Sequence, residues 1–109
     1  SLEEGMFAAE ADKWAGKGNV LLFQQNMEAD SLRKLTDAVM QTCGGRCAVF
    51  SSGADGSYKY AMGEKDGDLR QLTKDMNNAL NGRGGGKPFF VQGSVQAGED
   101  QIREFFREL

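Results

Sequence analysis

The chain has 109 residues, of which 39% are hydrophobic and 27% charged, and its formal net charge is −3. That length suits one globular domain, and the acidic balance argues against a generally basic nucleic-acid coat, although not against a local basic site. No stretch approaches the ~18 apolar residues that cross a bilayer, and the lack of histidine removes His-based triads and His metal sites.

The first nineteen residues, 1–19, are expected to form a connecting helix or the end of a linker. Glu3 to Lys13 is rich in Ala and Glu, and Gly16-Lys17-Gly18-Asn19 interrupts this helical pattern. Because the chain opens with Ser1-Leu2, we expect it to be a piece of a longer protein. Residues 20–109 are expected to form one domain.

Strand and helix patterns alternate through that domain. Val20 to Phe23 is a short apolar run that predicts a strand buried on both faces. Leu32, Leu35 and Val39 then recur at helical spacing, and Gly44-Gly45 predicts the end of the helix.

The second half of the chain predicts three more strands and two more helices. Residues 46–51 and 58–62 predict two strands joined by a hairpin turn at Asp55-Gly56. Residues 69–80 predict a helix, residues 89–95 a strand and residues 99–109 a last helix. The predicted fold class is α/β, a small mixed sheet of about four strands with helices on its faces, in the order β-α-β-β-α-β-α. The expected core residues include Leu35, Val49, Leu72, Met76 and Phe105.

The two cysteines, Cys43 and Cys47, form the pattern C-G-G-R-C. We predict two reduced thiols, one closing a helix and one starting a strand, in a cytosolic protein. A redox pair is the alternative, but three residues separate the cysteines instead of the familiar two. Zinc would need four ligands, which the chain does not offer.

The segment Gly82-Arg83-Gly84-Gly85-Gly86-Lys87-Pro88 is the most informative part of the sequence. Glycine permits positive φ and leaves backbone N–H groups uncovered, so that a glycine loop can form a concave anion nest. No acidic residue occurs from Asn77 through Gly98. The Walker A and Rossmann patterns are excluded, because a helix precedes this segment and a strand follows it. A phosphate-binding loop and a tight turn with chance charges both remain open.

Two further patterns have structural explanations that we favour. Tyr58-Lys59-Tyr60 interleaves Lys with aromatic residues, as single-strand-binding sheets do, but ordinary sheet packing is the preferred interpretation. The carboxylates of Glu64, Asp66 and Asp68 suit magnesium, but a solvated turn that caps the following helix is preferred.

The glycine segment resembles the signature of the DHH-associated domain. Asn81 to Pro88, followed by Val91-Gln92-Gly93, is similar to the family pattern of a glycine run, Lys or Arg, Pro, two residues and an apolar-Gln-Gly step. That domain closes alanyl-tRNA synthetases, the long-form (AlaX-type) alanyl-tRNA editing proteins and DHH-family phosphoesterases. The resemblance covers about residues 20–109.

The resemblance implies a tRNA-binding C-terminal domain of a cytoplasmic translation enzyme. It implies that other domains perform aminoacylation or deacylation of tRNA, so that this chain has no catalytic residue and needs no cofactor or metal. Zinc belongs to the editing domain of the family, which is outside this chain. The implied partners are tRNA, specifically tRNA-Ala, and the remaining domains of the parent protein; a homodimer is compatible with the resemblance, and no membrane is involved. The implied nucleic-acid contacts are Arg83, Gly84, Gly85, Gly86, Lys87, Gln92 and Gly93.

Three alternatives concern the parent protein and the role of the domain. The step Gln92-Gly93-Ser94 and the closing Phe105-Phe106 resemble the editing proteins, which deacylate mischarged alanyl-tRNA, more than the synthetases. A dimerisation or docking domain without nucleic-acid contact is a second alternative. The substrate-binding tail of a DHH-family phosphoesterase is a third, but Lys87 stands where those enzymes usually have His.

Overall fold

The computed structural model describes all residues from 1 to 109 and contains one five-stranded mixed sheet flanked by four helices. In chain order the elements are α1 (Leu2–Trp14), β1 (Gly18–Gln25), α2 (Ala29–Cys43), β2 (Gly44–Ser52), β3 (Tyr58–Glu64), α3 (Arg70–Ala79), β4 (Gly82–Lys87), β5 (Phe90–Val95) and α4 (Glu99–Arg107). The strand order across the sheet is β1-β2-β3-β5-β4. The predicted α/β class with helices on both faces is confirmed. None of the four helices has the length and apolar character that crossing a bilayer requires.

The connections follow the sequence patterns closely. α2 links the parallel strands β1 and β2, and its C-cap Gly44 has a φ of 82°, the left-handed conformation that glycine favours. β2 and β3 pair in antiparallel fashion around Asp55, whose carboxylate accepts hydrogen bonds from the backbone N–H and hydroxyl of Ser57 at 3.1 and 2.7 Å. The predicted hairpin is therefore confirmed.

The prediction of about four strands missed one strand, because the glycine segment is not a loop. Gly82–Lys87 forms β4, which pairs antiparallel with β5 through a two-residue turn at Pro88 and Phe89. Glycine has a low intrinsic preference for strands and provides no alternating side-chain pattern, so nothing in the segment itself signals a strand. Pairing with β5 imposes the extended conformation. The predicted loop with successive N–H groups in a turn is wrong.

The core has two layers, one on each face of the sheet. α1 and α2 cover one face, where Leu35 and Val49 are fully buried. α3 and α4 cover the other, where Met76 and Ile102 are fully buried. The buried stripe of the α3 region consists of Leu69, Thr73, Met76 and Leu80.

Two of the five expected core residues are only half-buried. Leu72 and Phe105 pack against the core of the α3 and α4 face without being enclosed by it. On α3 the reason is helix rotation, because Thr73 faces the sheet and places Leu72 at the border of the buried stripe. The full-core assignment of Leu72 and Phe105 is therefore wrong.

Replacing Leu72 by Ala should cost less stability than deleting a fully enclosed leucine. We expect the free energy of unfolding to fall by about 1–2 kcal/mol, against ~2–5 kcal/mol for leucines at enclosed positions. Urea denaturation followed by circular dichroism measures this difference. A loss above ~3 kcal/mol would show that Leu72 contributes as a core residue after all.

The N-terminal helix α1 packs on α2. Phe7 and Ala11 are buried in this contact, and Trp14 is half-buried, with its indole N–H donating to Glu10 Oε2 at 3.0 Å. The division of the chain into a connecting segment (1–19) and a domain (20–109) stays a prediction.

Both cysteines lie where the sequence placed them. Cys43 ends α2 and Cys47 lies in β2, and both thiols are free and fully buried. Burial, with a smaller contribution from Cys43, raises the pKa of the Cys47 thiol to about 12. Cys47 therefore stays protonated at neutral pH, unlike the low-pKa thiolates that carry out redox chemistry.

Candidate nucleic-acid interface

The glycine segment lies at an open edge of the sheet. β4 has β5 as its single neighbour, so every second backbone N–H and C=O group of β4 points away from the sheet. Residues 83–87 are all exposed. Because three consecutive residues, Gly84 to Gly86, have no side chain, these backbone groups are accessible from outside the molecule.

Three glycines at this edge are required by close packing. A Cβ atom on Gly84 would lie 2.4 Å from Gln92 O, and one on Gly86 would lie 2.5 Å from Phe90 O. A Cβ atom on Gly93, in β5, would lie 2.1 Å from Arg83 O. These distances are far below van der Waals contact, so a side chain at any of these positions would force β4 and β5 apart.

Gly85 is different, because the fold does not require a glycine there. No atom lies within 4 Å of the position that its Cβ would occupy, and its φ is not positive. An alanine would fit without strain. The missing side chain at Gly85 therefore does nothing for the packing of the domain, but it keeps the backbone uncovered at the middle of the edge.

A short hydrogen-bond chain holds this edge against α3. Asn77 Nδ2 donates to Gly84 O at 3.4 Å, and the hydroxyl of Tyr60 donates to Asn77 Oδ1 at 3.2 Å. Tyr60 is 1% exposed and belongs to the core, which confirms ordinary sheet packing for this residue, and burial raises its pKa. No sequence motif indicated Asn77, and its polar side chain next to the buried stripe of α3 is the signal that could have done so.

Two grooves run along β4, one on each face of the sheet, and Gly85 and Gly86 line both. The groove on the α2 side has a volume of about 490 Å³, and the groove on the α3 side about 340 Å³. Gln92 lines the first of them. The bare strand thus forms a ridge between two concave surfaces.

The charged side chains around the two grooves are mostly cationic. The α2-side groove is lined by Arg33, Lys65 and Lys87, and the α3-side groove by Arg70 and Lys74. Asp37 is the one carboxylate in either lining. A positive surface therefore surrounds the glycine edge even though the chain as a whole carries a net charge of −3.

Four cations near the edge have no carboxylate within 4 Å. They are Lys65, Lys74, Arg83 and Lys87. In contrast, Arg33 pairs with Asp30 at 2.8 Å and Arg70 with Asp68 at 2.6 Å. The sequence indicated only Arg83 and Lys87, because Lys65 and Lys74 come close to β4 through the tertiary fold.

An exposed aromatic ring lies at the end of the edge strand. Phe89, in the turn between β4 and β5, is 42% exposed, and Lys87 Nζ lies 5.8 Å from its ring centroid. Phe89 also lines the α2-side groove. An exposed ring beside a cation is a combination on which nucleic-acid bases stack.

The acidic turn before α3 acts as a helix start. Asp68 accepts hydrogen bonds from the backbone N–H of Arg70 at 3.1 Å and from its guanidinium, and these bonds hold the pKa of the Asp68 carboxyl at about 2. Asp68 thus satisfies the N–H group of the first residue of α3, whereas the N-cap position itself is Leu69 and has no side-chain cap. No three His, Cys, Asp or Glu side chains in the molecule converge closely enough to hold a metal ion.

The order of elements and the glycine edge match a known family. The sequence profile of the DHHA1 domain matches residues 16–109. The chain belongs to the DHHA1 domain family. The DHH-associated resemblance noted from the glycine segment is thereby confirmed, and all seven predicted contact residues lie within the matched part of this DHHA1 domain.

One sequence match and one structural match come from alanyl-tRNA synthetases. The alanine–tRNA ligase of Acholeplasma laidlawii strain PG-8A is 28% identical over 86 residues, which cover 79% of this chain and 10% of that protein. The crystal structure of the C-Ala domain from Aquifex aeolicus alanyl-tRNA synthetase superposes with a TM-score of 0.71 and 21% identity, covering 86% of this chain and 89% of that one. The chain thus spans about a tenth of the length of its relative from Acholeplasma, and it shares the fold of the C-Ala domain.

Proposed function

We propose that this DHHA1 domain is the tRNA-binding C-terminal domain of an alanyl-tRNA synthetase or a related alanyl-tRNA editing protein. Both relatives come from synthetases, which favours the first parent over the second. In this proposal the domain itself catalyses nothing, and its partners are tRNA-Ala and the other domains of a cytoplasmic parent enzyme. The observation that carries the proposal is the exposed glycine edge, Gly84 to Gly86, between two cation-lined grooves.

The geometry suits contacts to the phosphate and sugar oxygens of tRNA. The backbone N–H groups on the open side of β4 donate to phosphate oxygens, and the absence of side chains lets the tRNA backbone approach them. Lys65 and Lys87 on one side, with Lys74 on the other, neutralise neighbouring phosphates. Such contacts position a nucleic acid without reading its sequence.

The salt dependence of binding tests this proposal. With two to four cations committed to phosphates, the logarithm of the tRNA association constant should fall with the logarithm of salt concentration with a slope of about −2 to −4. Fluorescence anisotropy of labelled tRNA-Ala, titrated with the chain from ~50 to ~200 mM salt, measures the slope. A flat salt dependence, or no binding at ~50 mM salt, would contradict the proposal.

The open strand edge also favours a second candidate function. The unpaired groups of β4 could pair with an extended strand from a second copy of the chain, as edge strands do in β-strand addition. In that case the domain would sediment as a dimer, and its dimerisation would not depend on Arg83 and Lys87. Analytical ultracentrifugation of the wild type and the Arg83→Glu, Lys87→Glu variant separates the two functions.

A further inference from the structure

A second positively charged pocket lies at the opposite edge of the sheet. It is formed by β1, the start of β2 and α4, has a volume of about 560 Å³, and is named here the Arg46 pocket. Its polar lining consists of Asn19, Arg46, Arg103 and Arg107, and its apolar walls include Leu21 and Phe106. Three arginines and no acidic side chain line this space.

Arg46 is the residue that sets this pocket apart from an ordinary charged surface. It is half-buried, its side chain forms no hydrogen bond, and no carboxylate lies within 4 Å of it. Its Nε atom is fully enclosed without a partner. Half-burying a guanidinium without a hydrogen-bonded anion is unfavourable. The two terminal amino groups of Arg46 are neither enclosed nor hydrogen-bonded, so they are the donors that a ligand in the pocket can reach.

The surrounding side chains hold Arg46 in place but do not neutralise it. Its guanidinium carbon lies 5.4 Å from the ring centroid of Phe106. Arg103 pairs with Glu99 at 2.8 Å, and Arg107 pairs with Glu104, so these carboxylates are already engaged.

Only one carboxylate acts on Arg46 from a distance. Glu64 lies opposite it on β3, and its negative charge opposes the burial that lowers the pKa of Arg46. An arginine stays protonated at neutral pH under such a shift. Arg46 therefore presents a full positive charge to the pocket.

We propose that the Arg46 pocket binds a nucleoside monophosphate group, either free or as an unpaired nucleotide of single-stranded RNA. The guanidinium of Arg46 matches phosphate oxygens in two-point contacts, and Arg103 and Arg107, although each is paired with a glutamate of α4, add N–H donors beside it. The ring of Phe106 and the side chain of Leu21 provide an apolar wall for a planar base. An acidic peptide would satisfy the charge but would leave that apolar wall unused.

The position of the pocket is compatible with the proposed function but does not depend on it. Arg46 and Lys87 lie at the same end of the sheet. Arg46 pairs with Glu64 at the end of β3, and the preceding residue Gly63 pairs with Phe90 of β5, which in turn pairs with Lys87. Three strand spacings separate β2 from β4, which places the two strands about 14 Å apart, and Arg46 lies on the α4 side of the sheet whereas Lys87 lies on the α2 side. The Arg46 pocket is therefore a separate site, which can bind a nucleotide whether or not the glycine edge binds tRNA.

The test uses ¹⁵N-labelled chain titrated with AMP, adenosine and pentaadenylate RNA. We expect AMP and pentaadenylate to shift the amide signals of Arg46 and Phe106, and adenosine, which lacks the phosphate, to leave them in place. Arg46→Gln should weaken AMP binding at these amides at least about tenfold, the loss of one charged hydrogen-bonded contact. Lys59→Gln, an exposed cation elsewhere, should leave it unchanged. A shift with AMP alone assigns the pocket to free nucleotides, and a shift with both to nucleotides within RNA as well.

A second variant separates a binding role from a structural one. Arg46→Met removes the unpaired charge but keeps an apolar stem, so the melting temperature should stay the same or rise while the AMP-induced shifts disappear. A lower melting temperature with AMP binding retained would overturn the proposal. Equal shifts with AMP and adenosine, or comparable shifts with a pentaglutamate peptide, would overturn it as well. Failure of tRNA binding at the glycine edge, measured with the Arg83→Glu, Lys87→Glu variant, leaves these outcomes unaffected.

Discussion

Changing Arg83 and Lys87 together to Glu should weaken tRNA binding by about tenfold or more at ~50 mM salt, because each lost phosphate contact removes an ion pair and its counterion release. Both side chains are exposed, and neither is part of an ion pair in the fold. Stability should therefore change by no more than ~0.5 kcal/mol. The salt slope should also become shallower by about two, one for each contact.

A control with the same charge change guards against a general electrostatic effect. Lys17→Glu with Lys59→Glu also changes the net charge by four units, and both lysines are exposed and away from the two grooves of the glycine edge. If the two double variants bind tRNA equally well, the charge of the whole molecule and not the glycine edge governs binding. Equal affinity of the Arg83 and Lys87 variant and the wild type would eliminate these two residues as tRNA contacts.

Adding one methyl group at Gly93 should damage the fold, whereas the same change at Gly85 should damage only binding. In Gly93→Ala the new carbon would meet Arg83 O at 2.1 Å and Gly84 Cα at 2.7 Å. Both are backbone atoms and cannot rotate away, so we expect a loss of about 3 kcal/mol in the free energy of unfolding. In Gly85→Ala the methyl group enters open space, and stability should stay within ~0.5 kcal/mol.

Binding to tRNA distinguishes a functional Gly85 from an accidental one. A methyl group there lies on the same face of the sheet as its register partner Gln92, which lines the α2-side groove, and it narrows that groove for a phosphate. Affinity should therefore fall while the circular dichroism spectrum and the urea midpoint stay at wild-type values. Unchanged affinity in Gly85→Ala would mean that the tRNA backbone does not contact this part of β4. A stable Gly93→Ala would mean that β4 and β5 lie further apart than the structure places them.

The sequence predicted the elements whose side chains form a pattern. The helical spacing of Leu32, Leu35 and Val39 predicts α2, and the apolar run from Val20 to Phe23 predicts β1. The expectation that this strand is buried on both faces is wrong, because β1 lies at an edge of the sheet and only Val20 of the run is buried. β4 has no such pattern, because most of its residues are glycine. Its extended form results from pairing with β5 and from the contact with Asn77. The spacing of apolar residues predicts a core position for Leu72, but it does not fix the rotation of a ten-residue helix about its own axis. In α3 that rotation turns Thr73 toward the sheet and leaves Leu72 half-buried.

The candidate interface was predictable only where it is contiguous in the sequence. Arg83 and Lys87 stand out because no acid occurs near them in the chain. Lys65 follows β3, which is two strands from β4 in the sheet, and it lines the α2-side groove together with Gly85. Lys74 lies on α3, which packs beside β4. Predicting such a cluster requires the strand order, which local patterns do not provide. Gln92 and Gly93 were placed by family resemblance; the first lines a groove and the second is fixed by packing.

The attachment of β4 has a consequence for how the domain opens. This strand pairs with one neighbouring strand, it lies beside α3 with one side-chain hydrogen bond from Asn77, and it contributes no residue to either core layer. A brief detachment of β4 would thus expose little apolar surface and would leave β1, β2, β3 and β5 paired. The free energy of this local opening should therefore be far below the free energy of global unfolding. Amide hydrogens of Gly84 to Gly86 would then exchange with solvent much sooner than those of Val49 and Met62 in the interior. The edge can therefore adjust to an irregular phosphate backbone without any loosening of the domain that supports it.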